Sequence, residues 1–282
     1  MGGTPEIAST IAELRGRLAP SRRANVRIGL LPTMGALHEG HLSLVRQTKA
    51  RCGLTVVSIF VNPAQFGPNE DFARYPRTFE ADCAKLAGLA DVVFAPAVAE
   101  MYPDGFATRI EVGGPALGLE SDFRPHFFVG VATVVAKLLV AVMPDEATFG
   151  EKDYQQLLVI QRLVADLGLP IEIVAGETVR ESDGLAMSSR NAYLSPEQRK
   201  TASQLNLVLR DVAAGVQQGE PIAAAEEWGR DAVLRAGFSS VDYVAVRDAK
   251  TLAPLESLAR PARVLAAVKV GTTRLIDNVP VQ

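Results

Sequence analysis

Apolar residues in the first half of the chain come in short runs. Residues 26–31 form one, ended by Pro32; residues 55–61, rich in β-branched side chains, form a second; residues 91–95 form a third. Runs of this length without polar alternation suit parallel strands covered on both faces. Between the first two runs, Leu42, Val45 and Lys49 recur at helical spacing within 41–52. Between the second and third, Phe79, Cys83, Leu86 and Ala87 share one face of 79–88. The pattern continues as a helix over 130–143, a strand over 147–149, a helix over 154–167 ended by Gly168 and Pro170, and a strand over 171–175. Alternating strands and helices imply right-handed crossovers, hence an α/β, Rossmann-like, doubly wound parallel sheet.

After about residue 180 the texture changes. A polar loop, Ser188-Ser189-Arg190-Asn191, precedes helices over 196–217 and 222–236 and strands over 241–246, 264–270 and 273–276. Pro196 sits at the first position of its helix, where its missing N–H costs nothing. The expected organisation is a Rossmann-like domain over 1–179 that binds nucleotide and acid, and a smaller α+β C-terminal domain over 180–282.

Composition narrows the choices. The most apolar stretch, 126–143, is interrupted by Lys137 and followed by Pro144, so it reads as a buried helix and not a membrane span. Residues 1–10 carry Glu6 and no apolar core, unlike a signal peptide, and Glu6 stands where a Met1-Gly2 myristoylation motif needs Ser or Thr. The two cysteines, Cys52 and Cys83, read as reduced thiols of a cytoplasmic protein. A net charge of −3 without basic runs disfavours nucleic acid as a partner.

Candidate chemistry lies where ligands of open α/β sheets bind, beyond the carboxyl ends of the strands. Pro32-Thr33-Met34-Gly35-Ala36-Leu37-His38-Glu39-Gly40-His41 leaves a strand and opens a helix, and holds two of the chain's three histidines. Exposed N–H groups at such a helix start favour phosphate, Gly40 would let a ligand approach closely, and two imidazoles can donate hydrogen bonds to a pentavalent phosphorus. A capping turn with surface histidines and a zinc pair are the alternatives. Zinc is the poorer fit, because the only other histidine is His126 and the cysteines are distant.

In Phe60-Val61-Asn62-Pro63-Ala64-Gln65-Phe66, the amides of Asn62 and Gln65 suit the hydroxyl and carboxylate groups of a small acid. In Phe149-Gly150-Glu151-Lys152-Asp153-Tyr154-Gln155-Gln156-Leu157, Lys152 at a helix start suits an anion, and Gln156 can face the same side. Met187-Ser188-Ser189-Arg190-Asn191 can hold a polyphosphate and release it.

These segments, with Arg74-Tyr75-Pro76-Arg77-Thr78, resemble the pantothenate synthetase family over nearly the whole chain. The wider kinship is to nucleotidyltransferases with a His-x-Gly-His signature. The resemblance implies an ATP- and Mg²⁺-dependent ligase that activates pantoate as an acyl-adenylate and joins it to β-alanine. It implies that Met34, Gly35, Ala36, Leu37, His38, Glu39, Gly40 and His41 line the ATP site. His41 would be the proton donor, and His38 would stabilise the adenylation transition state. Gly150, Glu151, Lys152 and Asp153 would contact ATP, with Lys152 on the phosphates, and Val179, Met187, Ser188, Ser189 and Arg190 would complete that site. Gln65 and Gln156 would hold pantoate, Gln65 would also meet β-alanine, and Asp82 would hold magnesium. A homodimer with a partly lid-like small domain is implied as well. The rivals are a nucleotidyltransferase with a phosphate-bearing acceptor, a zinc hydrolase and a non-catalytic nucleotide module.

One stretch departs from the family's usual Arg-Pro-Gly-His-Phe-x-Gly-Val. Here it reads Arg124-Pro125-His126-Phe127-Phe128-Val129-Gly130-Val131. An ungapped reading puts Phe127 at the histidine position; a shifted reading keeps His126-Phe127 as the motif. The expectation is that the backbone adjusts and His126 still reaches the pantoate side.

Overall fold

The computed structural model describes residues 3–68 and 70–281, so the Met1-Gly2 start read for a lipid signal lies outside the described residues. The first half contains β1 (Glu6–Ala8), α1 (Ile11–Arg23), β2 (Ile28–Thr33), α2 (Glu39–Arg51), β3 (Leu54–Ile59), α3 (Phe79–Leu86) and β4 (Val92–Phe94). Next come α4 (Val98–Met101), α5 (Glu120–Phe123), α6 (Phe127–Val142), β5 (Glu146–Gly150), α7 (Tyr154–Asp166) and β6 (Glu172–Gly176). The C-terminal part contains α8 (Pro196–Gln217), α9 (Ile222–Arg235), β7 (Ser240–Asp248), β8 (Ala262–Val270) and β9 (Thr273–Val281).

The first six strands form one parallel sheet in the order β1-β4-β3-β2-β5-β6. The chain steps outward from β2 to β4, then returns to lay β5 on the other side of β2. That reversal makes the crevice between β2 and β5 the switch point at which such sheets bind ligands. The two strands are paired only at Gly29–Glu146 and Leu30–Ala147, whereas the β2–β3 ladder continues to Thr33–Ile59. Pro32 lies inside β2, not at its end. The Asp145 N–H donates to the Ile28 carbonyl on the β5 side and the Phe60 N–H to the Thr33 carbonyl on the β3 side. Alternation therefore turns Pro32 toward β5, past the end of that ladder, where a missing N–H loses no bond.

Helices cover both faces of the sheet. On one, α1 and α6 place Leu14, Leu18, Val135 and Leu139 against Leu30, Val56 and Phe94. On the other, α2 and α3 place Leu44, Val45 and Leu86 against Leu31, Val57 and Val93. α6 is buried along nearly its whole length, as expected for a core helix. Among the described residues, no helix is long and apolar enough to cross a membrane.

The last three strands form an antiparallel sheet, β7-β8-β9. One face packs under α8 and α9 through Leu205, Leu209, Ala225 and Val233. The other, with Tyr243, Ala245, Leu265 and Ala267, packs on Leu119 and Leu158 of the parallel-sheet half. This second contact sets the antiparallel sheet over the crevice.

Candidate active site

A cavity of about 830 Å³ lies at the carboxyl ends of β2 and β5, within the usual range for small-molecule sites. Its walls come from the loops after β2, β3 and β5, the 187–191 loop, and β9.

After β2 the backbone passes through Gly35 at φ +82° and Ala36 at φ +50°. A left-handed alanine is strained, and Asp82 holds it there. That carboxylate is fully buried in α3's first turn and accepts the N–H groups of Ala36 (2.9 Å) and Leu37 (2.8 Å) and the Thr78 hydroxyl (3.1 Å). Asp82 is thus a brace of the histidine loop. Its oxygens accept two backbone N–H groups and the Thr78 hydroxyl, and Asp82 is not among the residues that line the cavity.

The brace delivers His38 and His41 at the start of α2, their ring centroids 4.0 Å apart. The His38 backbone N–H points at His41 Nδ1 (3.4 Å). Nδ1 is then the acceptor, and Nε2–H is the end free to donate into the cavity. A Cβ on Gly40 would lie 3.0 Å from the His38 ring, so this glycine makes room for the imidazole itself rather than for a ligand. Met34, His38, Gly40 and His41 line the cavity. Gly35, Ala36 and Leu37 stand behind that wall, and Glu39 faces outward in an ion pair with Arg46.

Burial, then the neighbouring Lys152, lowers His38 to about 4; burial, then His38 and Lys152, lowers His41 to about 3. Both are therefore neutral hydrogen-bond donors in the open cavity. A testable consequence follows from the sign. The unfolded chain protonates its histidines below about pH 6.5, whereas these two resist until about 4 and 3. Between those values the unfolded state binds more protons, so this contribution to stability falls as pH falls. Melting temperatures from pH 7 to pH 4 should drop less steeply in a His38→Gln/His41→Gln variant than in the parent.

At the end of β3, Gln65 lines the cavity but Asn62 does not. Asn62 Nδ2 donates to Gln65 Oε1 (2.9 Å) and to the Gly130 carbonyl (3.2 Å). Its Oδ1 accepts the Ala64 N–H (3.2 Å) and the Tyr102 hydroxyl (2.7 Å). Asn62 therefore orients Gln65, which is the one of the two amides that lines the cavity.

After β5, Gly150, Lys152, Asp153 and Gln156 line the cavity. Gln155, also on the lining, pins the Pro115 and Gly118 carbonyls at 3.0 and 3.1 Å. Glu151 is not on the lining, and its carboxylate accepts from Arg263 Nη2 (3.1 Å). Asn278 of β9 donates to the Glu151 and Lys152 carbonyls, both at 2.9 Å. The antiparallel sheet thereby fixes the turn that carries Lys152. Val179, Met187, Ser188, Ser189 and Arg190 line the same cavity, and the Ser189 hydroxyl donates to the Ala36 carbonyl (3.1 Å).

Gly130 lies so close to the turn after β3 that a Cβ there would sit 2.6 Å from Ala64 C and 3.0 Å from Gln65 N. This fixes the start of α6 and turns Phe127 to the cavity, under the Arg124 guanidinium (3.9 Å to the ring centroid). His126 is exposed and packs over Gly67. The expectation that His126 reaches the pocket is thus corrected.

The sequence reading missed a buried ionic group on the wall. Glu120 accepts both forks of Arg274 (2.9 and 2.7 Å) and the Tyr243 hydroxyl (3.0 Å). Arg274 and Glu120 are 154 positions apart, beyond any local signal. Among the described residues no group of three or more His, Cys, Asp or Glu could hold a metal ion.

A sequence model of the family described as Pantoate-beta-alanine ligase matches residues 6–280. The chain is 53% identical over 280 residues to a pantothenate synthetase of Rhodopseudomonas palustris (strain HaA2), covering 98% of this chain and 99% of that one. It is 54% identical over 284 residues to pantothenate synthetase 2 of Bradyrhizobium diazoefficiens, covering all of both. Among solved structures, the pantothenate synthetase of Thermus thermophilus matches with a TM-score of 0.92 at 48% identity, covering 98% of this chain and 99% of that one. The Francisella tularensis pantoate-beta-alanine ligase complexed with beta-gamma ATP and beta-alanine matches with a TM-score of 0.83 at 35% identity, covering 98% and 97%.

Proposed function

The chain belongs to the pantoate-beta-alanine ligase family, and we propose that its cavity joins pantoate to β-alanine through a pantoyl-adenylate. It is an ATP-using enzyme of pantothenate formation. The observation that carries the two-step reading is the layout of one cavity. Imidazoles at a helix start, Lys152, Arg190 and the amides of Gln65 and Gln156 all line it together.

A carboxylate is a poor electrophile, so its oxygen first attacks the α-phosphorus of ATP, and the bond to the bridging oxygen of pyrophosphate breaks. Lys152 and Arg190 hold the phosphates, and the N-terminus of α2 faces them. His41 Nε2–H donates to the oxygen that gains charge, with His38 beside it. Met34, Val179 and the Met187 to Ser189 backbone hold the nucleotide. Gln65 and Gln156 hold pantoate, and Gln65 also meets β-alanine. The free amine of β-alanine then attacks the carbonyl carbon, the C–O bond to AMP breaks, and the amide forms. Closure over the crevice keeps water from the anhydride.

ATP enters as its magnesium complex. The ion belongs to the triphosphate, as expected of a cation that binds through substrate phosphates and keeps several waters. We further place the domain division at 179/180, with the C-terminal part acting partly as a lid, in a cytoplasmic homodimer; sedimentation of the purified protein tests the dimer.

The deciding experiment is exchange of labelled pyrophosphate into ATP. Pantoate alone should support it, without β-alanine, and AMP should appear only when β-alanine is added. Exchange that needs β-alanine would remove the free adenylate. A product that keeps AMP would favour a nucleotidyltransferase acting on a phosphate-bearing acceptor.

A further inference from the structure

Glu70 and Asp71 are adjacent acids on the cavity wall, and each grips a different arginine. Glu70 takes the Nε and Nη2 groups of Arg124, both at 2.6 Å. Asp71 takes the Nε (3.0 Å) and Nη2 (2.9 Å) groups of Arg190. The second pair joins segments 119 positions apart, and the Tyr193 hydroxyl ties the same two segments by donating to the Arg74 carbonyl (3.1 Å). The Arg190 guanidinium also lies 6.0 Å from the Tyr75 ring centroid.

A guanidinium presents two edges to an anion, the side edge of Nε and Nη2 and the end edge of Nη1 and Nη2. Asp71 occupies the side edge. A phosphate can then take the end edge without displacing the carboxylate. Burial alone would push the Asp71 carboxyl up, but the hydrogen bond and charge of Arg190 outweigh it and hold it below the usual range. The pair therefore stays charged at neutral pH.

We propose that Asp71 is the positioning residue for Arg190: its side-on grip aims the end edge of the guanidinium at the phosphates of ATP. This rests on the reading of Arg190 as a phosphate contact. Arginine carries high rotamer entropy, and an arginine already aimed loses less on meeting its anion. Asp71 does not touch the transferring group, so its effect passes wholly through Arg190.

The test is steady-state kinetics on the purified full chain, with ATP, pantoate and β-alanine varied in turn, for Asp71→Asn, Asp71→Glu, Arg190→Ala and the Asp71→Asn/Arg190→Ala double variant. Asp71→Asn should raise the KM for ATP and the inhibition constant of pyrophosphate about 10- to 100-fold, the usual weight of a charged hydrogen bond. The KM values for pantoate and β-alanine should stay unchanged. Asp71→Glu should restore part of the loss, and the double variant should be no worse than Arg190→Ala. Additive losses, a general rise in all three KM values, or tighter ATP binding in Asp71→Asn would each overturn the positioning role. If Arg190→Ala itself left ATP and pyrophosphate binding unchanged, the phosphate reading of Arg190 would fail and the proposal with it. A harmful Arg190→Ala beside a neutral Asp71→Asn would overturn the proposal alone.

Discussion

Replacing His41 with Asn should slow pantoate-dependent pyrophosphate exchange by about 10²–10³, the usual loss when one transition-state donor is removed, with little change in ATP affinity. The split follows from the state of the imidazole. Its Nδ1 faces the His38 backbone N–H at 3.4 Å, and burial keeps it neutral. A neutral donor gives little to a bound ground-state phosphate. It gives most when the bridging oxygen takes up charge as pyrophosphate leaves. Lys152→Ala should differ, because an ammonium attracts the triphosphate in both states; it should raise the KM for ATP and lower the exchange rate together. Exchange by the His41 variant at near the parent rate, with unaltered folding by circular dichroism, would remove His41 from the chemistry.

What the sequence made legible was local. The β2–α2 join could be read because a buried run, three glycines and two histidines fall within sixteen residues, 26–41. α8 could be read because Ser195 and Pro196 both mark a helix start, and the capping box with Gln198 is present. α1 was missed: it carries Gly16 and Pro20 and buries only Leu14 and Leu18, although the Thr10–Glu13 capping box marked its start. β1 was missed because three residues, two of them exposed, leave no periodicity to read.

Within the site, residue type was legible but direction was not. Asn62 and Gln65 look equivalent as amides at a strand end, yet Asn62 spends its donors and acceptors on Gln65, Gly130, Ala64 and Tyr102. Glu151 and Lys152 are neighbours, yet Arg263 and Asn278 of the distant antiparallel sheet decide which of them faces the cavity. The same holds for Phe127 and His126, whose directions are set by the contact of Gly130 with Ala64.

Asp82→Asn separates two readings of one carboxylate. As a brace, Asp82 satisfies two backbone donors, Ala36 and Leu37, at 2.9 and 2.8 Å, in a loop whose Ala36 sits at φ +50°. Asparagine can accept only through its oxygen, and its amino group would face a second N–H with no acceptor between them. A buried donor left unpaired costs about 1–3 kcal/mol, so the unfolding midpoint should fall by several degrees. The larger effect should be catalytic. The loop sets the position of both imidazoles, and a misplacement of about 1 Å can cost about 10² in rate. Pyrophosphate exchange should therefore fall by about that factor, in kcat more than in the KM for ATP. Magnesium discriminates the readings. If Asp82 held the ion, the variant would need more Mg²⁺ for half-maximal activity, and excess Mg²⁺ would restore the rate. A brace predicts the parent's Mg²⁺ dependence at every concentration, scaled down by a constant factor, because the missing acceptor sits behind the loop, where no added cation can replace it.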